Sequence, residues 1–181
     1  MMSTKEPKTK ADGTVAWSVD ILNPSTRDDF ALFIKEIQMP DGQLRPLSVW
    51  MSGEYPSTFD GLCKVLSLDM RIIDPAWIGA KLRSLLDYTE TGGEFFAPVP
   101  GEEKQRNYPS TVAYISALLI HRYSMLGILD KEGFPIEELG CMDGDYDNVV
   151  QLRSVAEQLV DSRLKPCVEC HSTNVLRRDS C

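Results

Sequence analysis

The stretch Phe30-Ala-Leu-Phe-Ile-Lys-Glu-Ile-Gln-Met39, Pro40-Asp41-Gly42-Gln43, Leu44-Arg-Pro-Leu-Ser-Val-Trp-Met-Ser52 decides the fold. Two runs rich in apolar residues flank a four-residue turn signature with three turn formers, each with its own physical role. Proline fixes φ, aspartate bonds back to the chain, and glycine accepts positive φ. The second run must therefore fold back antiparallel on the first. Upstream, Val15 to Leu22 alternates as a strand and Asn23 to Asp29 supplies turn-forming side chains, so a third strand joins the sheet. The sequence predicts a three-stranded antiparallel meander closed by Gly53.

Helical patterning follows. Pro56-Ser57-Thr58 and Asp60 form an N-terminal cap signature, and Phe59, Leu62, Val65, Leu66, Met70 and Ile73 recur near helical spacing up to about Ile72, giving one face for the sheet. Asp74-Pro75 opens a second helix, running to Tyr88 with Trp77, Ile78, Leu82, Leu85 and Leu86. Residues 92–107 hold two prolines, three glycines and the charged run Glu102-Glu103-Lys104-Gln105-Arg106, which reads as an exposed loop or flap. Pro109-Ser110-Thr111 starts the most helix-like stretch, Thr111 to Leu126, with Val112, Ile115, Leu118, Leu119 and Leu126 on one side, and Gly127 ends it. An irregular acidic segment, Gly133 to Asn148, precedes an amphipathic helix from Val149 to Leu164. The expected class is α+β, a meander packed against several helices, with residues 1–13 a flexible polar arm, 14–164 the domain and 165–181 a cysteine-rich tail shaped like half a zinc ribbon. Trp17, Trp50 and Trp77 sit in apolar-patterned elements and are expected to anchor the core.

The 181 residues suit one domain with short tails, and 43% apolar with 25% charged residues is an ordinary globular composition. A formal charge of -8 and a pI near 4.8 repel phosphate backbones, so nucleic acid is an unfavoured partner. The polar arm has no apolar stretch of the kind a secretory signal carries, and no run approaches membrane-spanning length. The expected compartment is the cytoplasm, without a membrane partner.

Candidate chemistry concentrates in the tail. Cys167-Val168-Glu169-Cys170-His171, with Cys181 behind it, has the C-x-x-C spacing that chelates one tetrahedral Zn²⁺. Cys181 supplies a third thiolate and His171 is a fourth candidate, although a ligand adjacent to Cys170 is geometrically awkward. A redox-active thiol pair, a disordered cysteine-bearing tail and a c-type haem attachment, which requires export, are the alternatives. Arg177-Arg178 is the one basic feature beside the cysteines. Elsewhere the acidic runs Glu102-Glu103 and Asp143-Gly144-Asp145-Tyr146-Asp147 read as solvated, since the second lacks the length and closing glutamate of an EF-hand. His121 reads as a packed or surface histidine without a partner for base catalysis. Cys63 reads as a core thiol and Cys141 as a loop thiol. No catalytic residue is expected in the body.

The order Leu44-Arg45-Pro46-Leu47-Ser48-Val49-Trp50, then Asp60-Gly61-Leu62-Cys63-Lys64-Val65-Leu66-Ser67, then Ala80-Lys81-Leu82-Arg83-Ser84-Leu85, then Tyr108-Pro109-Ser110-Thr111-Val112-Ala113-Tyr114-Ile115 resembles one family. It is similar to the TSCPD-type domain near the C-terminus of class II, adenosylcobalamin-dependent ribonucleotide reductases, over about Trp17 to Gly127; the TSCPD residues themselves do not occur in this chain. The resemblance implies an accessory subunit of ribonucleotide reduction, the step that supplies deoxyribonucleotides for DNA replication. It implies a large catalytic chain as partner, which holds the adenosylcobalamin, the substrate site and the radical cysteine. It also implies that Cys167 and Cys170 either help to bind zinc or relay reducing equivalents. A reading of another class is a stand-alone zinc-ribbon adaptor that binds a different protein or nucleic acid.

Overall fold

The computed structural model describes Ala11 and residues 13–137. The anticipated helix Val149–Leu164 and the cysteine tail lie outside the described residues. Three strands, β1 (Ala16–Asn23), β2 (Asp28–Gln38) and β3 (Leu44–Glu54), form an antiparallel sheet in the order β1-β2-β3. The β2–β3 turn forms as its residues dictate. Gly42 has φ +86°, the Asp41 carboxylate accepts from the Gln43 N–H at 2.8 Å, and the Met39 N–H donates to the Gln43 carbonyl at 2.8 Å.

Two backbone details re-aim the sheet. The partners of Lys35 and Glu36 are Ser48 and Pro46, so Leu47 is an extra residue and β3 bulges. A bulge on an edge strand is where proline, lacking an N–H, is tolerated in a sheet. Gly53 does not end β3, as its residue type suggested, but continues it to Glu54. At φ +138°, its position would place a Cβ 2.5 Å from the Asp29 carbonyl oxygen, so only glycine lets the two backbones approach.

Helix α1 (Thr58–Asp69) flanks β3, and α2 (Pro75–Leu86) precedes a two-stranded hairpin of β4 (Phe95–Pro98) and β5 (Gln105–Tyr108), which leads into α3 (Thr111–Met125). The hairpin replaces the expected loop. Its apolar alternation, Phe95 and Ala97 in and Phe96 and Pro98 out, spans four residues and is hidden among prolines and glycines. Helix starts follow the expected chemistry at two sites of three. Asp74 accepts from the Ala76 N–H at 2.9 Å, and Ser110 Oγ accepts from the Ala113 N–H at 3.1 Å. Ser57 is the exception: it has helical φ/ψ and makes no side-chain cap, and the neighbouring Asp60 instead accepts from the Tyr55 hydroxyl at 3.1 Å. Gly127, at φ +70°, ends α3 as expected, with the Ile128 N–H returning to the Tyr123 carbonyl at 3.0 Å.

The core joins Ile21, Leu32, Ile34 and Val49 of the sheet to Phe59, Cys63 and Leu66 of α1 and its C-cap Met70, Ile78 and Leu82 of α2, and Ile115, Leu118 and Leu119 of α3. Burying each such aliphatic side chain stabilises the fold by about 1.5–3 kcal/mol. Two expectations about faces are corrected here. Helix α3 is buried on most of its circumference, including Ala113, Tyr114, Ser116, Ile120 and Tyr123, because it has neighbours on several sides; α2 and β5 both pack on it. Along α1 and the turn that follows it the buried stripe is Phe59-Cys63-Leu66-Ser67-Met70, while Val65 and Ile73 are exposed.

Two buried polar connections fix how the elements meet. Asn23 Nδ2 donates to Thr111 Oγ1 at 2.9 Å and to the Gly93 carbonyl at 3.0 Å, and Thr111 Oγ1 donates to Asp28 Oδ2 at 2.7 Å. These bonds tie the β1–β2 turn to the start of α3. Arg122 of α3 grips Glu36 with two parallel bonds, Nε to Oε1 at 2.6 Å and Nη2 to Oε2 at 2.8 Å. The bidentate fork is the strongest form of this pair.

The tryptophans depart from the core-anchor expectation. Only Trp17 packs against the core, with the Arg122 guanidinium 5.8 Å from its ring. Trp50 stacks on Phe33 on the outer face of the sheet, at 5.4 Å and 10° between planes. Trp77 is 43% exposed, donates from Nε1 to Asp69 at 3.0 Å and carries Lys81 Nζ 4.7 Å over its ring. Indole is amphipathic, and these two rings use a polar or aromatic neighbour at the surface instead of the interior.

Candidate functional site

The two edges of the meander are treated differently. At β3 the edge is closed by α1: the Val49 N–H donates to Ser67 Oγ at 3.0 Å, and Ser67 Oγ donates to the Val49 carbonyl at 3.2 Å. A serine in the last turn of α1 thereby satisfies both outward backbone groups of Val49, which an edge strand would otherwise leave open. At β1 no further strand pairs among the described residues. An eight-residue strand left open in this way is a template for another chain.

Exposed apolar groups gather beside that edge. Leu22 of β1 is 64% exposed and Phe96 of β4 is 72% exposed, with Val15 just before the strand also open. Between β1 and the hairpin runs a cleft of about 690 Å³, with Trp17, Val19, Tyr114 and Leu118 in its wall and Pro98, Val99 and Pro100 along the hairpin side. Asp20, Glu102 and Glu103 line the same cleft and give it a negative rim. An apolar floor with a charged rim is the anatomy of a protein-binding surface more than of a small-molecule site.

His121 lies in this cleft and makes no side-chain hydrogen bond among the described residues. Its ring packs on Gly101, where φ is +77° and an added Cβ would stand 2.5 Å from the imidazole Cε1. The contact explains the glycine at the hairpin tip and matches the reading of a packed histidine. Glu102 and Glu103 belong to the same tip, and among the described residues no group of three or more His, Cys, Asp or Glu side chains could hold a metal ion. Cys63 is buried as expected. Burial, reinforced by the Asp60 charge, pushes its thiol up to about 11, which keeps it protonated and inert at neutral pH.

Cys167, Cys170, His171 and Cys181, the candidate metal and redox residues, lie outside the described residues, as do Cys141 and the run Asp143–Asp147. This exposed apolar face was not legible in the sequence. Leu22 and Phe96 each read as one apolar residue in an alternating run, and only pairing shows that both point outward. Among the described residues no helix is long and apolar enough to cross a membrane. A scan of protein-family models matches none to this chain, and searches of curated proteins and of solved structures give no significant match.

Proposed function

We propose that the chain is a non-catalytic accessory subunit of an adenosylcobalamin-dependent ribonucleotide reductase, and that its body docks on the large catalytic chain through the open β1 edge and the hairpin. The observation that carries this reading is the asymmetry of the sheet among the described residues, with one edge covered by α1 and held to it by Ser67 at Val49, and the other open beside Leu22 and Phe96. The order of meander, two helices and a Pro-Ser-Thr helix start supports the family resemblance. In this reading cobalamin and the radical chemistry belong to the large chain. The tail has one of two roles. Cys167, Cys170 and Cys181, with His171 or a partner group, hold zinc. Alternatively, the Cys167 and Cys170 thiols exchange with a disulfide on the large chain, becoming a disulfide as that one is reduced to two thiols, and an external dithiol resets them.

Co-purification with a class II large chain tests the docking. The native chain is expected to be retained, and Leu22→Asp with Phe96→Asp to lose retention while keeping its far-UV circular dichroism. Equal retention of both proteins would remove the face from the proposal. Metal analysis of the reduced full chain tests the tail: near-stoichiometric zinc that disappears in Cys167→Ser/Cys170→Ser supports a ribbon, and metal-free protein with two reversibly oxidised thiols supports the relay. Arg177-Arg178 beside the cysteines favours a second reading, a zinc-ribbon adaptor for another protein or nucleic acid. Retention on heparin that falls steeply with salt would select the nucleic-acid form.

A further inference from the structure

The hydrogen-bonding phase of β1 follows from one contact and the register. The Glu36 N–H donates to the Val15 carbonyl at 3.3 Å, and Val15 stands opposite Glu36 when the β1–β2 register, which pairs Ala16 with Lys35, is continued by one residue. Antiparallel residues alternate between pairs that exchange backbone bonds and pairs that do not. Trp17, Val19 and Ile21 therefore direct their N–H and C=O groups at β2, and Ala16, Ser18, Asp20 and Leu22 direct theirs out of the sheet. The far edge agrees with this phase: it turns the backbone groups of Val49 and Met51 outward, and these are the ones that Ser67 and the Tyr55 hydroxyl engage. All four open residues of β1 are exposed, and the strand has neither the proline, the lysine nor the bulge that commonly blunts an edge.

Across the cleft, the hairpin cannot take a strand in the same way. The Val99 N–H donates to the Lys104 carbonyl at 2.8 Å, which sets Phe95, Ala97 and Val99 toward β5 and the backbone groups of Phe96 and Pro98 away from it. Proline has no N–H, so the outward side of β4 lacks a donor where a ladder needs one. Strand addition is left to β1. An added strand alternates its side chains between the inner side, where Trp17, Val19, Tyr114 and Leu118 line the cleft, and the outer face beside Asp20. Among the described residues no lysine or arginine lines this cleft, and its carboxylates, Asp20, Glu102 and Glu103, form no ion pair.

We propose that the β1 edge takes an extended segment in which apolar residues alternate with lysine or arginine, added as a fourth strand of the meander. Backbone bonds to Ala16, Ser18, Asp20 and Leu22 hold the segment, its apolar side chains fill the cleft, and its cations answer the carboxylates at the rim. A second copy of the chain is the disfavoured occupant, because it brings its own Asp20, Glu102 and Glu103 to a rim that is already negative. This mode of binding rests on the docking reading for the face it uses, and adds the conformation and charge of the segment that the large chain presents there.

The probe is a capped peptide of alternating valine and lysine, matched to the eight residues of β1 and titrated into the full chain, with amide hydrogen exchange read by NMR. In the free chain the Ser18, Asp20 and Leu22 amides are expected to exchange faster than those of Val19 and Ile21. The probe is expected to saturate and to slow Ser18, Asp20 and Leu22 several-fold, while Val19 and Ile21 stay as they were. Ser18→Pro, which removes an outward N–H and leaves the β1–β2 ladder whole, is expected to abolish binding with the far-UV circular dichroism kept. Asp20→Lys is expected to weaken binding several-fold. Slow exchange of Ser18, Asp20 and Leu22 in the free chain, no saturable binding, binding that leaves those amides unprotected, or equal binding of a valine–glutamate peptide would overturn the proposal. So would protection of the same amides that rises with protein concentration alone, which marks a second copy as the occupant. Strand addition by the peptide without retention of the large chain removes the accessory-subunit reading and leaves this mode standing; retention of the large chain with no protection by the peptide overturns the mode and leaves that reading in place.

Discussion

Replacing Arg122 by methionine leaves a carboxylate stranded in the interior. The Glu36 side chain is fully buried, both its oxygens are held by Arg122, and the arginine side chain itself is 14% exposed. Breaking a buried pair from one side costs about 3–5 kcal/mol, because the remaining charge has neither water nor partner. Coulomb's law at a separation near 3.5 Å and an effective dielectric of about 20 gives roughly 5 kcal/mol, the same range. Loss of the Arg122 contact with Trp17 adds about 0.5–1 kcal/mol. Against a typical total of about 5–15 kcal/mol the combined loss of about 3.5–6 kcal/mol is about a quarter or more of the stability, with a fall in melting temperature of about 7–24 °C. Urea unfolding followed by circular dichroism measures it, provided the slope stays constant between variants. The double variant Glu36→Leu/Arg122→Met removes both charges and is expected to recover most of the loss. A cost below about 1 kcal/mol for Arg122→Met, or a double variant less stable than the single, would refute the claim that the buried charge, and not the lost side chain, sets the penalty.

Other perturbations probe the remaining joints. Asn23→Ala, which strips the Gly93 carbonyl and Thr111 of a buried partner, is expected to cost about 1–3 kcal/mol in the same unfolding assay, with Thr111→Val partly non-additive to it. Leu119→Ala, at a fully buried position of α3, is expected to cost about 3–5 kcal/mol. Cys63 is expected to resist iodoacetamide in the native chain at neutral pH and to react once urea unfolds it. Because its pKa is raised from 9.0 to about 11 on folding, it favours the native state fully below pH 9 and loses that contribution as pH rises toward 11, so Cys63→Ala should flatten the decline of stability over that window. Native alkylation as fast as that of the unfolded chain would refute its burial.

The sequence by itself determined most of what closes within a few residues, the uncapped Ser57 and the strand running on through Gly53 excepted. The Pro40–Gln43 turn, the Asp74 and Ser110 caps and the stop at Gly127 are bonds between a side chain or carbonyl and a backbone group close by, so residue type alone specifies them. They were enough to give three strands, three helices and their order. Other features depend on partners far along the chain, and there pattern was ambiguous or silent. Trp50 and Trp77 are apolar enough for a core, yet strand register and helix rotation turn them outward. The four-residue strand Phe95–Pro98 exists because Tyr108 and Tyr114 accept Phe95, not because of its own propensity. Asn23 finds Thr111 across 88 positions, and Glu36 finds Arg122 across 86. The open edge at β1 arises in the same way. Each of its residues is ordinary where it stands in the chain, and only the strand order, with β2 on one side of β1 and no described strand on the other, leaves that edge exposed.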